Sequence, residues 1–273
     1  MAKLYILGTG NAMVTNCYNT CFTISNDEGE HFLIDTGGGN TLLSNLEKLN
    51  IPISKINNLF ISHTHNDHIN GISWIVRAIA QAMINNKYDG NFTIYGHEDV
   101  LKVGKTLCNL VLQDKFTKLF NERILFVPIK DGERKNILDF DITFFDIHSE
   151  KLLQYGFRLT TKEGIVLSFI GDEPYKEVLN NYCTGSDYLI HEAFCLYEER
   201  DFFNPYEKHH TTVKEACENS TLLENKNLIL IHTEDKNIRN RKEYYTAEAR
   251  YFYQGNIIVP DDLDVIDLVP LEN

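Results

Sequence analysis

Short runs of β-branched and aromatic residues alternate with amphipathic stretches along the chain. Ile72, Ile75, Ile79 and Met83 recur at helical spacing, which predicts a helix over 71–84 with this stripe in the core. The predicted helices span 42–49, 71–84, 99–113, 211–218 and 247–253. The β-rich runs, bounded by turn residues, predict strands over 3–7, 21–25, 31–35, 58–62, 92–95, 124–129, 142–147, 157–161, 165–170, 188–190, 228–231, 257–259 and 265–269.

Three imidazoles and a carboxylate are crowded into six residues directly after the apolar run 59–61. The motif is His63-Thr64-His65-Asn66-Asp67-His68. If the strand continues to His65, a period of two puts His63 and His65 on one side of the backbone, and a turn brings Asp67 and His68 to a neighbouring point. Imidazole nitrogen and carboxylate oxygen suit Zn²⁺, and also Fe or Mn. The motif therefore predicts two adjacent metal sites.

Other polar residues stand where predicted strands end. They are His148, Asp172, Glu192 and His232. Strand ends on one side of a sheet can converge on a site without distorting the sheet, so these residues are a candidate ligand set. His97 lies between a strand and a helix, and we expect it to be a surface or capping residue instead of a ligand.

Composition and charge narrow the class of protein. The chain of 273 residues has a net charge of −13 and a pI near 5.2, which opposes broad attraction to nucleic acid. Its six cysteines include no C-x-x-C pair and are typical of free thiols in a reducing compartment. The N-terminus is too briefly apolar for a signal peptide, and Arg77 interrupts the longest apolar stretch. We therefore expect a single domain over 1–273 that is cytoplasmic and has no membrane partner.

The combined motifs resemble those of the metallo-β-lactamase superfamily. The resemblance rests on H-x-H-x-D-H at 63–68, His148, Asp172 within Phe-Ile-Gly-Asp, and His232 within Leu-Ile-Leu-Ile-His-Thr. It implies an α/β fold of the αββα four-layer sandwich type, with two mixed β-sheets and helices outside. It also implies a dinuclear site for two divalent metal ions, with Zn expected ahead of Mn or Fe.

Within that superfamily the sequence is most similar to the ribonuclease Z type. The shared landmarks are Leu7-Gly8-Thr9-Gly10, Ile34-Asp35-Thr36-Gly37, His191-Glu192-Ala193 and His210-Thr211-Thr212. The resemblance assigns one metal to His63, His65 and His148, the other to Asp67, His68 and His232, and the bridge between them to Asp172. It makes Asp67, His210 and Glu192 the catalytic residues. Asp67 orients the attacking water, and His210 gives a proton to the leaving oxygen, with Glu192 expected to raise the pKa of the imidazole.

The chain departs from the ribonuclease Z pattern in two places. The P-x-K-x-R-N loop of that type is replaced by Val14-Thr15-Asn16-Cys17-Tyr18-Asn19, and a compact hairpin stands where a long tRNA-gripping arm is common. Four basic residues after His232 could meet phosphate or could be ordinary solvated positions: Lys236, Arg239, Arg241 and Lys242. We expect a small or flexible phosphodiester as substrate, with RNA one candidate, and leave a homodimer open.

The expected function is that of a dinuclear metal-dependent phosphodiesterase, in which a metal-bridging hydroxide attacks phosphorus. A lactone, thioester or other carboxyl-ester hydrolase could use the same metal ligands and is the alternative. A nucleic-acid-binding or regulatory protein with a structural metal is a third reading, but it would leave the open coordination positions unexplained.

Overall fold

The computed structural model describes residues 1–270 and contains two mixed seven-stranded sheets. The strands are β1 (Lys3–Gly8), β2 (Cys21–Ser25), β3 (His31–Ile34), β4 (Ile56–Phe60), β5 (Phe92–Gly96), β6 (Ile124–Pro128), β7 (Arg134–Ile137), β8 (Phe140–Asp146), β9 (Tyr155–Thr160), β10 (Val166–Phe169), β11 (Tyr188–Glu192), β12 (Asn227–Ile231), β13 (Asn256–Ile258) and β14 (Val265–Asp267). The helices are α1 (Thr41–Lys48), α2 (Asn66–Ile69), α3 (Ile72–Ile84), α4 (Glu98–Val111), α5 (Asp114–Thr117), α6 (Asn180–Cys183), α7 (Arg200–Phe203), α8 (Val213–Leu222) and α9 (Arg241–Ala249).

The contacts divide the chain into two compact units, each with one sheet. Unit 1 comprises 1–8, 18–130 and 262–268, and unit 2 comprises 9–17, 131–261 and 269–270. The sheet of unit 1 has the order β14-β1-β2-β3-β4-β5-β6, and the sheet of unit 2 has the order β13-β12-β11-β10-β9-β8-β7. In unit 1 the strands from β3 to β6 are parallel, as are those from β10 to β13 in unit 2. The single domain expected over 1–273 stays a prediction.

The core of unit 1 is built on the helical stripe that the sequence predicts. In α3 the side chains of Ile72, Ile75, Ile79 and Met83 are buried against the core of the unit, which includes Leu59 of β4. The last two residues of β4, Leu59 and Phe60, are buried and apolar, so the end of this strand is held in the core. The motif that starts at His63 therefore begins from a well-packed strand end. His97 is the N-cap of α4, where its side chain accepts a hydrogen bond from Val100 N, as expected.

Several elements differ from the prediction, and among them the short helices α2, α5, α6 and α7 were not predicted. Strand β7 was not predicted, because its sequence Arg-Lys-Asn-Ile is polar and lies at the edge of the sheet, where only one side chain needs burial. The prediction of a last helix over 247–253 is wrong, since α9 begins at Arg241 and ends at Ala249. Within residues 1–270, no helix combines the length and the apolar character that crossing a bilayer requires.

Arg241 explains why the start of α9 escapes a hydrophobicity pattern. Its side chain is buried, although it is charged. Nη1 donates to Thr9 Oγ1 at 3.0 Å and to Thr233 Oγ1 at 2.7 Å, while Nη2 donates to Pro260 O at 2.8 Å and to Asp261 Oδ1 at 2.9 Å. These four bonds replace the water that the guanidinium loses, so Arg241 is a structural residue, and the reading of it as a phosphate contact is wrong.

We predict that Arg241→Met lowers the free energy of unfolding by about 3 kcal/mol, because four buried or half-buried acceptors lose their partner. Chemical denaturation of the wild type and the variant measures this loss. Arg250→Met, at an exposed position just after α9, is the matched control and should change the free energy by less than about 0.5 kcal/mol. Equal stability of R241M and the wild type would contradict the structural role.

Candidate active site

The His cluster, defined as His63, His65, Asp67 and His68, lies in unit 1 between the end of β4 and the start of α3. His65 is the N-cap residue of the short helix α2, which carries Asp67 and His68. His63 and His68 are fully buried, Asp67 is 3% exposed, and His65 is half-buried. Buried imidazoles and carboxylates have to be paired or to bind a metal, so this is not a solvated polar loop.

Asp35, at the end of β3, organises the His cluster. Its Oδ1 accepts a hydrogen bond from Ser62 N at 2.7 Å, and its Oδ2 accepts one from Ser62 Oγ at 2.7 Å and lies 2.8 Å from His68 Nδ1. Ser62 Oγ also lies 2.9 Å from His63 Nδ1. Holding Nδ1 of both rings fixes their orientation and turns Nε2 of each toward the cluster, as in histidine ligands of metal sites.

Ligand atoms of the His cluster are close together within unit 1. His63 Nε2 and His65 Nδ1 are 2.9 Å apart, and His68 Nε2 and Asp67 Oδ2 are 3.4 Å apart. The centroids of the His63 and His68 rings are separated by 4.1 Å. Nitrogen and carboxylate oxygen gathered in this way form a donor set that fits Zn²⁺ and similar divalent ions.

A second cluster, the Asp172 cluster, lies in unit 2 and comprises Asp172, Glu192, His210 and His232. Asp172 follows β10 and is 3% exposed; its Oδ1 accepts a hydrogen bond from Gln154 Nε2, and its Oδ2 lies 3.5 Å from His232 Nε2. The preceding Gly171 has φ +77°. A Cβ there would lie 3.0 Å from Gln154 Oε1, so glycine both adopts the turn and leaves room for Gln154.

The backbone is strained at three candidate residues that follow strands. Asp35, His148 and His232 have φ of +55°, +56° and +57°, a region that residues other than glycine rarely occupy. Each such residue costs about 1 to 3 kcal/mol and persists only where the surroundings impose it. In all three the strand ends with a sharp turn, and strain of this kind is common at functional sites.

His210 and Glu192, which the family resemblance pairs, lie in contact. His210 Nδ1 lies 2.7 Å from Glu192 Oε2, and Glu192 Oε1 accepts a hydrogen bond from Thr211 N at 2.8 Å. Phe194 stacks on the imidazole, with ring centroids 4.9 Å apart and planes inclined by 15°. The His210 and His232 rings are 5.2 Å apart, so the pair adjoins the rest of the cluster.

The protonation of this pair differs from the expectation. Burial lowers the pKa of His210 to about 4, and this outweighs the negative charge of Asp172, which raises it. Burial and the same Asp172 charge raise the pKa of Glu192 well above its usual range. The imidazole is therefore neutral at neutral pH in the protein without ligands, whereas the Glu192 contact alone predicted a raised pKa.

Two further side chains border the Asp172 cluster. Lys151 Nζ lies 3.5 Å from His210 Nε2 and 3.9 Å from Glu173 Oε1. Glu173 is 3% exposed and also accepts hydrogen bonds from Ser149 Oγ and Glu150 N, which fixes the segment that carries Lys151. His148 is about half exposed, and its Nδ1 lies 4.0 Å from Asp146 Oδ2.

Sequence analysis did not single out Asp35, Gln154 or Lys151 as site residues. The position of Asp35 could have indicated a site residue, since it ends a predicted strand and is followed by Thr-Gly-Gly-Gly. No such indication existed for Gln154 and Lys151, because their partners Asp172 and His210 are 18 and 59 residues away.

The loop that replaces the basic ribonuclease Z motif is held by an acidic residue. Asp235 Oδ2 accepts hydrogen bonds from Thr15 N, Asn16 N and Asn16 Nδ2. The interval from His148 to Asp172 contains only the antiparallel hairpin of β9 and β10, as predicted. A cavity of unit 2 with a volume of about 760 Å³ is lined by residues such as Tyr197 and Tyr251 and by none of the predicted site residues.

Comparison with known proteins identifies similar chains along nearly the whole length. Ribonuclease Z of Nanoarchaeum equitans is 24% identical over 304 aligned residues, which cover 97% of this chain and 92% of that protein. The metallo-β-lactamase fold protein YhfI of Bacillus subtilis has a TM-score of 0.79 at 18% identity and covers 97% of this chain and 98% of its own. The short form of human tRNase Z has a TM-score of 0.75 at 19% identity and covers 98% and 100%.

These similarities confirm several predictions. The α/β class and the metallo-β-lactamase fold with two mixed sheets are confirmed, as is the ribonuclease Z-like branch of the superfamily. The class of a metal-dependent hydrolase is confirmed with them. A more specific match comes from the family model described as Anti-Pycsar protein Apyc1, which matches residues 2–257. Because this match spans most of the sequence, the chain belongs to the Anti-Pycsar protein Apyc1 family.

Proposed function

We propose that the chain is a dinuclear metal-dependent phosphodiesterase that acts on small or flexible phosphodiesters. The observation that carries the proposal is the arrangement at His210, whose Nδ1 is held by a buried carboxylate and whose Nε2 lies 3.5 Å from the Lys151 ammonium. A proton donor beside a fixed cation suits an anionic substrate with a poor leaving group. A neutral ester has no charge for the lysine to bind in its ground state and would gain from it only as an oxyanion develops.

The two clusters are proposed to hold two divalent metal ions, with Zn²⁺ expected first. The family resemblance assigns His63, His65 and His148 to one ion, Asp67, His68 and His232 to the other, and Asp172 to the bridge. The donor chemistry fits, since Ser62 and Asp35 fix the imidazoles in the manner of histidine ligands. When bound, such ions activate water and neutralise charge on a phosphoryl group.

The protein's own residues then have distinct roles. We assign to Asp67 the orientation of the attacking water and to His210 the transfer of a proton from Nε2 to the leaving oxygen. Lys151 donates to a phosphoryl oxygen beside His210. An anionic substrate at this position favours the protonated imidazole, because a nearby negative charge raises the pKa of a base. Glu192 keeps the ring in place through Nδ1 during the transfer.

Size and charge favour small substrates over tRNA precursors. The loop at 14–19 is anchored on Asp235 and has no basic residue, and no arm extends from the β9–β10 hairpin. Remote phosphate contacts supply much of the affinity for a large polyanion, and the net charge of −13 opposes it. RNA fragments remain within the substrate class, while a cytoplasmic location and a homodimer stay predictions.

The zinc- or manganese-loaded enzyme should hydrolyse bis(p-nitrophenyl) phosphate and dinucleotides, and should process the 3′ end of a precursor tRNA poorly. Steady-state assays on these substrates, beside a lactone and thioester series, measure the preference. Activity confined to the lactones and thioesters would replace the phosphodiesterase by the carboxyl-ester hydrolase, and efficient trimming of precursor tRNA would overturn the size argument.

Metal content tests the ligand assignment. We predict close to two metal ions per chain in the purified wild type and the loss of both affinity and turnover in Asp172→Ala, because the proposed bridge is removed. Elemental analysis after dialysis measures the content. Asp201→Ala removes a carboxylate that is 89% exposed in the same unit and should keep both ions. One tightly held ion without turnover would instead indicate a structural metal.

The leaving group tests the role of His210. His210→Ala should slow hydrolysis by at least about tenfold more when the leaving group is a ribose alkoxide than when it is p-nitrophenolate, since general acid catalysis contributes about 10² to 10⁴-fold and a good leaving group needs no proton. The kcat values of the two reactions measure the contrast. His209→Ala, at the exposed neighbouring imidazole, is the matched control. An equal loss on both substrates would remove His210 from the acid role.

A further inference from the structure

A cavity of about 760 Å³ lies in unit 2 between α9 and the segment that follows β11. This volume is within the range of small-molecule sites. Four aromatic residues line it, namely Tyr197, Tyr244, Tyr251 and Phe252. Three carboxylates line it as well, and none of the described residues in its wall is basic. No residue of this cavity has a role in the function proposed above.

One wall is a face of α9 that the core does not use. Tyr244, Ala247, Glu248 and Tyr251 stand at i, i+3, i+4 and i+7, so they share one side of the helix and of the turn that follows it. Tyr245, on a neighbouring face, is buried in the core. The rings of Tyr244 and Tyr251 are 42% and 84% exposed, and neither contacts a cation within the described residues.

Glu248 joins this wall to the opposite one. Its Oε1 accepts a hydrogen bond from Tyr197 N at 2.9 Å, and its Oε2 accepts one from Glu198 N at 3.4 Å. The two bonds fix the segment after β11 against α9, so the cavity is preformed. Burial raises the pKa of Glu248, and the negative charges of Glu198 and Glu215 add to this rise. A cation in the cavity would relieve the same repulsion.

Glu199 adds a negative charge that is only partly compensated. Its Oε1 accepts a hydrogen bond from Asn237 Nδ2 at 3.2 Å. Its Oε2 is buried and has no hydrogen-bond partner among the residues that the structure describes. A buried carboxylate oxygen without a donor is costly. A cation bound in the cavity would offset this charge through space, without a hydrogen bond.

The protein's own cations show what the aromatic wall accepts. Lys214 Nζ lies 4.3 Å from the centroid of the Tyr197 ring and 5.6 Å from that of Phe252. Arg200 Cζ lies 4.0 Å from the centroid of the Tyr197 ring. Ammonium and guanidinium groups are attracted to the faces of aromatic rings. These two contacts use Tyr197 and Phe252 and leave Tyr244 and Tyr251 to a ligand.

We propose that this cavity binds a linear polyamine, an organic cation in which ammonium groups alternate with short methylene chains. Its ammonium groups lie near the carboxylates of Glu198, Glu199 and Glu248, and its methylene chains contact the rings of Tyr244 and Tyr251. The carboxylates exclude an anion, and a compact inorganic cation would gain little from the rings. The inference does not depend on the proposed function, because the two share no residue.

Isothermal titration calorimetry of the full chain with spermidine tests the proposal. The titration is made at about 0.15 M salt, where a Debye length of about 8 Å screens diffuse attraction to a chain of net charge −13. We expect saturable binding of one spermidine per chain. Hexaamminecobalt(III) has the same charge as spermidine but no methylene chains, and diacetylspermidine keeps the chains but loses two charges. Each should bind at least about tenfold more weakly.

Variants of the wall assign the heat to this cavity. Glu198→Gln combined with Glu199→Gln should raise the Kd of spermidine at least about tenfold, because two charges are lost at unchanged size. Tyr251→Ala removes an exposed ring and should raise the Kd about three- to fivefold. Glu243→Gln and Leu222→Ala, exposed positions of unit 2 outside the cavity, are the matched controls and should leave the Kd unchanged.

Lys214 supplies a change in the opposite direction. Its ammonium group occupies part of the aromatic wall, so Lys214→Gln should lower the Kd of spermidine severalfold. Lys226→Gln removes an exposed lysine that pairs with Asp187 elsewhere in unit 2 and should have no effect.

Three results would overturn the assignment of this cavity. They are the absence of saturable binding, equal affinity for hexaamminecobalt(III), and an unchanged Kd in the double carboxylate variant. Diffuse attraction of polyamines to an acidic surface would give the second and third results together.

Discussion

The carboxylate of Asp35 is the constraint on which the His cluster depends. It is 1% exposed, yet it contacts Ser62 twice and His68 once, at 2.7 to 2.8 Å. The following Thr36 donates from N and from Oγ1 to His68 O, both at 2.8 Å. Gly71 makes this approach sterically feasible, because a Cβ at that position would lie 2.0 Å from Thr36 O. The strained turn at Asp35 thus fixes the motif from outside it, and the imidazoles are oriented before any ligand binds.

The sequence predicted the elements whose pattern follows from burial on one face. The stripe of α3 and the apolar strands near the centre of each sheet were found for this reason. Prediction from the hydrophobic pattern failed at β7 and at the start of α9, where polar residues form a strand and a helix. At Arg241 the stabilisation comes from four hydrogen bonds to residues up to 232 positions away, and no local pattern encodes such partners.

In the candidate site, too, residues that are close in the sequence could be predicted, and residues whose partners are distant could not. The motif at 63–68 could be interpreted from spacing alone, because its predicted ligands are close together in the sequence. Glu192 was singled out because it ends a predicted strand, but His210 entered only through the family resemblance, and the contact between the two spans 18 residues. Lys151 could not be singled out from sequence, because its significance lies in the imidazole of His210, which is 59 residues away along the chain.

The protonation of His210 depends on the charge of the substrate that binds beside it. Burial keeps the pKa of His210 near 4, so a neutral substrate meets a neutral imidazole that can give a proton only at a high cost. In the proposed function a phosphodiester brings the negative charge that favours protonation, and we assign to Lys151 the binding of that charge beside His210. Such a site is poorly suited to acid catalysis until an anion occupies it. In a chain with a net charge of −13, a few local lysines can then select small anions without drawing in large polyanions. The family resemblance implies the same seven predicted metal ligands for esterases and phosphodiesterases, so we assign the selectivity between these two reactions to the residues around His210.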